Sequence, residues 1–280
     1  MNKTYYVCKY TPIELLESLG GECENFNHMP DGFDLADQVS HPNICGFGKT
    51  LLEGVMEGKI KELVLVSCCD TIRSVYDILL ESGKLDFLYI LDVLHCDSAC
   101  SRERMAAQLK GLTKAYAQYK GTEFDAGKFR AAFHVQEKIT KPHIAVLGAR
   151  MGQELFEMTS KAMPLPVEND TCVHNRSVGN ILPPEGASFD ELMDWYAGEI
   201  LGQIPCMRMM DPTGRKKLYN DPSVAGIIYH TVKFCDFYSF EYADIKNHTE
   251  VPLLKIESDY TIQSSGQLLT RLEAFAESIQ

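Results

Sequence analysis

The stretch Gly226-Ile-Ile-Tyr-His-Thr-Val-Lys-Phe-Cys-Asp236 is an apolar run that ends in a cysteine followed at once by an aspartate. Such a run is typical of a buried strand, and the pair at its end places a thiol at the mouth of a sheet. Two earlier apolar runs end in the same way, at Cys69-Asp70 and at Cys96-Asp97. Composition alone accounts for roughly 0.6 Cys-Asp pairs in this chain, so three pairs indicate a shared structural position.

Apolar runs alternate with amphipathic segments along the chain, which predicts parallel sheets because parallel neighbours need a crossover connection. We predict an α/β fold of two Rossmann-like lobes, formed by residues 1–141 and 142–280, with a boundary near Lys141-Pro142. The predicted strands are 4–8, 62–67, 86–94, 143–148, 165–168, 225–232 and 252–256. The predicted helices are 11–20, 46–58, 71–82, 101–120, 151–161, 188–202, 213–220, 238–247 and 265–279. Residues 121–141 are predicted to be polar and partly helical.

The composition excludes several classes of protein. The chain has 280 residues, is 45% hydrophobic and carries a net charge of -12. Without a basic cluster it is not expected to bind nucleic acid or an anionic membrane. No segment has the apolar length of a membrane span, and the first residues lack the apolar core of a signal peptide, so we expect a cytoplasmic protein. Ten cysteines in that reducing compartment do not indicate disulfides.

The predicted site lies at the carboxyl ends of the strands, where open parallel sheets bind ligands. Cys69, Cys96 and Cys235 fall at such ends, and we expect the aspartate after each to cap the next helix. A thiol beside a helix start is favoured as thiolate, which is the form that binds metal. Three further cysteines occupy comparable turns, namely Cys45, Cys172 and Cys206.

The residues alone do not identify which metal or cluster is bound. Soft thiolate donors select zinc, Cu(I) or iron–sulfur clusters, and dispersed cysteines without a Cys-X2-Cys pair favour a cluster over zinc. A buried, purely structural role is the alternative for each thiol, and we assign that role to Cys8, Cys23 and Cys68. A phosphate loop at Gly46–Thr50 is rejected, because position 43 is asparagine where that motif needs glycine.

Several segments together resemble the 2-hydroxyacyl-CoA dehydratase superfamily, which includes benzoyl-CoA reductase subunits and double-cubane cluster proteins. These segments are Thr11-Pro-Ile-Glu14, Cys45-Gly-Phe-Gly-Lys49, Cys69-Asp70, Asp170-Thr-Cys-Val-His-Asn-Arg176, Pro205-Cys206, Val232-Lys-Phe-Cys-Asp236 and Gly266-Gln-Leu-Leu-Thr-Arg-Leu-Glu-Ala-Phe-Ala-Glu277. The resemblance implies an oxygen-sensitive iron–sulfur cluster in the cleft between the two lobes, in an anaerobic enzyme. It also implies reduction by a separate ATP-hydrolysing activator that carries its own cluster.

The resemblance also implies a set of ligands. The three-cysteine pattern of the superfamily falls on Cys45, Cys69 and Cys235. With Cys96, or Cys100 in its place, and with Cys172 and Cys206, six thiols match a double-cubane [8Fe-9S] cluster. The expected function is then low-potential reduction of a small molecule. The alternatives are a [4Fe-4S] subunit of a 2-hydroxyacyl-CoA dehydratase, which eliminates water through a ketyl radical, and a non-enzymatic cluster carrier.

The strand before Cys235 holds three candidate catalytic residues, Tyr229, His230 and Lys233. Each could donate a hydrogen bond to a sulfide or to a substrate oxygen, and the alternative for all three is an ordinary strand end with a solvated lysine. The expected partners are the activator, a second copy or a related subunit in a dimer, and a small-molecule or acyl-CoA substrate.

Overall fold

The computed structural model describes residues 2–134, 141–178, 181–262 and 265–279. The strands in chain order are β1 (Thr4–Tyr6), β2 (Cys23–Asn25), β3 (Glu62–Val66), β4 (Phe87–Leu91), β5 (His143–Gly148), β6 (Val167–Asn169), β7 (Val224–Val232) and β8 (Leu253–Ser258). The α-helices are α1 (Ile13–Ser18), α2 (Ala36–Val39), α3 (Gly46–Met56), α4 (Asp70–Ser82), α5 (Ala99–Lys120), α6 (Ala126–Ala131), α7 (Gln153–Ala162), α8 (Phe189–Gly202), α9 (Lys216–Tyr219), α10 (Asp236–His248) and α11 (Ser265–Glu277). A 3₁₀-helix, Thr213–Arg215, precedes α9.

The chain divides into two compact units. The first comprises Met1–Phe26, Gly58–Glu137 and Arg176–Asp211, and the second comprises Asn27–Glu57, Lys138–Asn175 and Pro212–Gln280. Each unit contains one parallel sheet, and β1 to β4 belong to the first unit while β5 to β8 belong to the second. The prediction of an α/β fold with two Rossmann-like parallel sheets is therefore confirmed, whereas the lobe boundary near residue 141 stays a prediction.

The sheet of the first unit has the strand order β2-β1-β3-β4. Its strand β3 is buried along its whole length, as the apolar run of residues 63–66 predicts for a central parallel strand. β2 and β3 lie on opposite sides of β1, so the chain reverses its winding direction between β1 and β3. Helices α4 and α5 end at Gly83 and Gly121, both in the left-handed conformation that glycine adopts without strain.

The sheet of the second unit repeats this plan in the order β6-β5-β7-β8. Strand β5 is fully buried, and β6 and β7 lie on its two sides, so the corresponding switch point lies between β5 and β7. Helix α11 packs against α7, and α2 packs against α3. In both units the switch point at the carboxyl edge is the position where doubly wound sheets bind ligands.

The apolar patterns of the sequence predict the bounds of most helices and strands to within a few residues. The structure adds β2 and α2, which lie in segments without an apolar run of their own. In the polar segment after α5, helix α6 is present, and the remainder of that prediction falls partly on residues 135–140, outside the described residues. The predicted helix at 213–220 begins as a 3₁₀ turn.

A buried ion pair connects two elements of the second unit. Arg215 lies at the end of the 3₁₀-helix and Glu241 lies on α10, and their side chains are only 2% and 5% exposed. The Arg215 guanidinium donates from Nε and Nη2 to the two carboxylate oxygens of Glu241. A buried pair of this kind stabilises little by itself, yet loss of one partner leaves an uncompensated buried charge.

Glu241→Gln is expected to lower the free energy of unfolding by about 3–5 kcal/mol, because the Arg215 charge stays buried without its carboxylate. Urea-induced unfolding measures this change. The matched control is Asp190→Asn, which removes a carboxylate from the exposed pair with Lys110 and should cost less than about 1 kcal/mol. Equal losses in the two variants would contradict the assignment of Glu241.

Candidate functional site

Three helices begin directly after a cysteine. Cys45 is the N-cap residue of α3, Cys69 of α4 and Cys235 of α10. All three N-cap residues have an extended backbone. The first N–H groups of a helix and the positive end of its dipole face the N-cap residue, so each of these helix starts is directed at a residue that carries a thiol.

The prediction that the following aspartates cap the helices is wrong. Asp70 and Asp236 are the first helical residues of α4 and α10, so the cap position belongs to the cysteine before each. The third Cys-Asp pair differs, because α5 begins only at Ala99 and is capped by Ser98. The Ser98 hydroxyl accepts a hydrogen bond from the Ser101 N–H at 3.2 Å, which fills the role that we predicted for the aspartate.

Cys96 lies in a polar environment. Its Sγ lies 2.9 Å from the Ser101 hydroxyl. Asp97 accepts two hydrogen bonds from Arg102, which lower the pKa of its carboxyl group. Cys100, the alternative to Cys96, is exposed in the first turn of α5. Of the two thiols, Cys96 is therefore the half-buried one.

The carboxyl edge of the first unit's sheet carries thiols after several strands. Cys8 follows β1, Cys69 follows β3 and Cys96 follows β4. Cys206 joins this edge through its backbone, since its N–H donates a hydrogen bond to the Tyr10 hydroxyl at 3.1 Å and Tyr10 lies just beyond β1. With Cys68, which directly precedes Cys69, five cysteines of this unit belong to the edge where the sequence predicts a site.

The second unit gathers its thiols at the same edge of its own sheet. The Cys172 N–H donates to the carbonyl of Gly148, the last residue of β5, at 3.0 Å. Cys235 follows β7. The glycine after Cys45 packs against Asp259 beyond β8, and a Cβ at that glycine would lie 2.0 Å from the Asp259 carbonyl oxygen. Backbone contact this close requires glycine and brings the start of α3 to the edge.

The thiols of Cys8, Cys68 and Cys69 are neighbours in the first unit, and the pKa values of Cys68 and of Cys69 are raised. The hydrogen bond with Cys68 and burial both raise the pKa of Cys69, and together they exceed the lowering by the Ile72 N–H at the start of α4. The N–H group at the helix start therefore favours the thiolate of Cys69, as expected, but burial and the interaction with Cys68 outweigh it in the metal-free state. Metal binding to such a thiol has to release the proton.

The donor types present fit an iron–sulfur cluster, because both edges offer thiols and thiolates are its ordinary ligands. Across the described ranges, no three His, Cys, Asp or Glu side chains lie close enough together to hold one metal ion. The fit therefore rests on the chemistry of the donors and on their shared position at the carboxyl edges.

The family model of the 2-hydroxyglutaryl-CoA dehydratase D-component matches residues 8–142 and 134–279. The chain belongs to this family. It is also similar to the beta subunit of (R)-phenyllactyl-CoA dehydratase from Clostridium sporogenes, with 25% identity over 121 residues. That alignment covers 40% of the chain and 31% of the relative. The predicted membership of the 2-hydroxyacyl-CoA dehydratase superfamily is confirmed.

Within the described residues, no helix combines the length and the apolar character that a bilayer span requires.

Two segments on which the dehydratase family likeness rests meet in the first unit. Arg176 donates two hydrogen bonds to the carboxylate of Glu14, at 2.6 and 2.7 Å, and the Tyr196 hydroxyl donates to the same carboxylate. These residues were not singled out as a group from the sequence, because Arg176 and Glu14 are 162 positions apart. Their burial and mutual pairing indicate a structural role in holding the turn after β1.

The catalytic candidates Tyr229 and Lys233 lie in opposite environments. The Tyr229 side chain is fully buried, its hydroxyl lies 2.7 Å from the Glu241 carboxylate, and burial raises its pKa. Lys233 is exposed, and its ammonium group lies 5.6 Å from the centroid of the Phe234 ring. Solvent reaches Lys233 and not the side chain of Tyr229. Direct contact with a substrate therefore stays a prediction for Lys233.

His230 is fully buried at the carboxyl end of β7. Its Nδ1 lies 3.2 Å from the Ala149 carbonyl oxygen and its Nε2 lies 2.9 Å from the Ser258 hydroxyl. Burial lowers the pKa of the imidazole from 6.5 to about 4, although the backbone contacts oppose this shift. The ring is therefore neutral in the folded protein near pH 7 and connects β7 to the segment after β5 and to β8.

His230→Gln is expected to make the stability of the protein less sensitive to acid. The unfolded imidazole takes up a proton below pH 6.5 and the folded one only near pH 4, so this histidine stabilises fully above pH 6.5. Its contribution is lost as the pH falls from 6.5 to about 4, by about 3 kcal/mol at most. Urea unfolding between pH 4 and 7 measures the slope.

Ser258→Ala is the control for this measurement, since it removes a hydrogen-bond partner and keeps the imidazole. It should lower stability while preserving the slope. The same slope in wild-type protein and His230→Gln would show that another group causes the acid sensitivity.

Proposed function

We propose that the chain is a redox enzyme of the dehydratase family that works with a low-potential iron–sulfur centre. The observation that supports this proposal is the position of the cysteines. Three of them are N-cap residues, and both parallel sheets carry thiols at the carboxyl edge, where such sheets bind ligands.

The primary ligands in this proposal are the three N-cap residues Cys45, Cys69 and Cys235. A helix start offers N–H donors that would stabilise a ligating thiolate or a neighbouring sulfide. Three thiolates would suit one [4Fe-4S] cluster with an iron left for another ligand.

The further ligands are Cys96, Cys172 and Cys206, which lie at the same sheet edges in less regular settings. Cys206 is buried, and the guanidinium Nη1 of Arg208 lies 3.9 Å from its Sγ. With all six thiols the chain could hold an [8Fe-9S] double-cubane cluster, and we favour this type because thiols at both edges exceed the number that one cubane needs.

When bound, such a cluster supplies low-potential electrons for the reduction of a small molecule. The protein's own part is ligation, burial and the supply of hydrogen bonds at the helix starts. Lys233 is exposed beside the Cys235 turn and would donate to a substrate oxygen, whereas the buried Tyr229 and His230 would hold β7 in place. The electrons would come from an ATP-hydrolysing iron–sulfur activator, and the working unit would be a homodimer or a heterodimer with a related subunit.

A second function is favoured by the similar protein itself. Its name is that of a dehydratase beta subunit, which supports a [4Fe-4S] subunit that eliminates water from a 2-hydroxyacyl-CoA together with a partner. The shared region spans only 31% of that relative, so binding of acyl-CoA by this chain is a separate proposal. Activator-dependent dehydration of a 2-hydroxyacyl-CoA with an added partner subunit would favour this second function. Transfer of an intact cluster to an apo-protein without any turnover would favour a carrier instead.

Protein purified under strict anaerobiosis is expected to be brown. Iron and acid-labile sulfide should each be about eight per chain for a double-cubane cluster and about four for a single cubane. Colorimetric iron and sulfide determination on the same sample decides between them. A colourless protein with stoichiometric zinc would overturn both versions of the proposal.

Cys45→Ser, Cys69→Ser and Cys235→Ser are each expected to lose most of the visible absorbance and of the iron, because a serine oxygen is a poor ligand for this cluster. Cys23→Ser is the matched control. Cys23 begins β2 at the amino edge of its sheet, and its Sγ lies 4.0 Å from the Ile13 carbonyl oxygen. The control should keep its iron, and full iron content in Cys235→Ser would contradict the ligand assignment.

A further inference from the structure

Arg150 lies just beyond β5 in the second unit, next to the switch point of the sheet. Its side chain is buried, with the residue only 5% exposed. The guanidinium Cζ lies 3.6 Å from the centroid of the Phe47 ring, a close cation–π contact. The Nε also donates to the Tyr260 hydroxyl at 3.3 Å. The guanidinium is thus held between an aromatic face and a phenol inside the unit.

Phe47 connects this arginine to a proposed ligand. It is the second residue of α3, whose N-cap residue is Cys45. The Phe47 ring also meets the Tyr260 ring edge to face, with centroids 5.3 Å apart. The N-terminus of α3 is therefore fixed by Arg150 on one side and by the segment after β8 on the other.

The backbone of Tyr260 is in a strained conformation. Its φ of 69° lies in the left-handed region, which costs a non-glycine residue about 1–2 kcal/mol. Its hydroxyl donates to the Asn27 side-chain oxygen at 2.8 Å, so the phenol both donates and accepts. A strained conformation persists only where the surroundings fix it, and strain of this kind is concentrated at functional sites.

A second proposed ligand lies close to the same arginine. The Cys172 N–H is bound to the carbonyl of Gly148, two residues before Arg150. Arg150 and the backbone of Cys172 therefore both lie at the carboxyl end of β5 in the second unit.

We propose that Arg150 is a positioning residue, which holds the Cys45 end of α3 and whose positive charge raises the reduction potential of the centre that Cys45 and Cys172 would ligate. This inference rests on the proposed function. Reduction adds one negative charge to the centre, and a fixed cation in a buried, weakly screened setting stabilises the reduced form more than the oxidised form. The cation–π contact keeps that charge near the N-cap residue and not in solvent.

The test uses the anaerobic holoprotein with three substitutions at position 150 and a control. Arg150→Gln and Arg150→Met remove the charge, Arg150→Lys keeps it, and Arg271→Met removes an exposed arginine of the same unit. Iron and sulfide are measured first. The midpoint potential is then determined by a redox titration followed by electron paramagnetic resonance.

Arg150→Gln and Arg150→Met are expected to lower the midpoint by at least a tenfold shift in the one-electron equilibrium, which is about 59 mV. Arg150→Lys should recover at least half of the shift, and Arg271→Met should leave the midpoint unchanged. A purely structural role would not separate the lysine variant from the neutral variants in potential.

The outcomes separate this inference from the proposed function. A wild-type holoprotein without iron and sulfide overturns both. Wild-type protein with a cluster and neutral variants with an unchanged midpoint overturn only the role of Arg150. If the neutral variants lose their cluster and Arg150→Lys retains it, the positioning role is supported. Loss of the cluster from all three position-150 variants shows a residue needed for folding alone and overturns the proposal.

Discussion

The structure depends on three helix starts, those of α3, α4 and α10, at which the N-cap residue is a cysteine. Serine, threonine, aspartate and asparagine cap helices because their oxygens accept the first N–H groups, and their loss costs about 0.5–2 kcal/mol per helix. Cysteine is a weak hydrogen-bond acceptor, so part of this stabilisation is missing at the three helix starts after Cys45, Cys69 and Cys235. The same chain caps α5 with Ser98 and α8 with the Ser188–Glu191 capping box, whereas α1, α2 and α7 have no side-chain cap although no cysteine stands at their N-cap position. At α3, α4 and α10 the missing side-chain cap stands at a residue that the family likeness marks as a ligand.

Most of the fold was predictable from the sequence because its central strands are apolar and its helices are amphipathic. β3 and β5 are buried along their whole length, and a run of at least four apolar residues in each leaves few alternatives. β2 was missed because three residues carry no periodicity, and its place in the sheet comes from pairing with β1. The predicted start of α4 was one residue too late, because the helix begins at Asp70. The sequence does not show whether Cys69 or Asp70 takes the extended conformation of the N-cap residue.

The site was predictable in its residue types and much less so in its contacts. The cysteines follow strands, and the topology of a parallel sheet then places them at one edge. The pairing of Arg176 with Glu14 and the stacking of Arg150 on Phe47 join positions that are distant in the chain. Short-range patterns hold no information about such contacts, and a buried arginine looks like a surface arginine in a single sequence. Only packing distinguished the two.

The weak caps and the raised pKa of Cys69 have a common physical consequence. A protonated, buried thiol is a poor acceptor for the N–H groups of α4, whereas a thiolate bound to a metal accepts them well. Binding of the proposed centre would therefore release protons and complete the caps in the same step. The stabilisation would appear at helix starts in both units, because Cys69 belongs to the first and Cys45 and Cys235 belong to the second. Ligation and local folding would thus be coupled by the same residues, and the free energy lost at the caps would be recovered when the thiols become ligands.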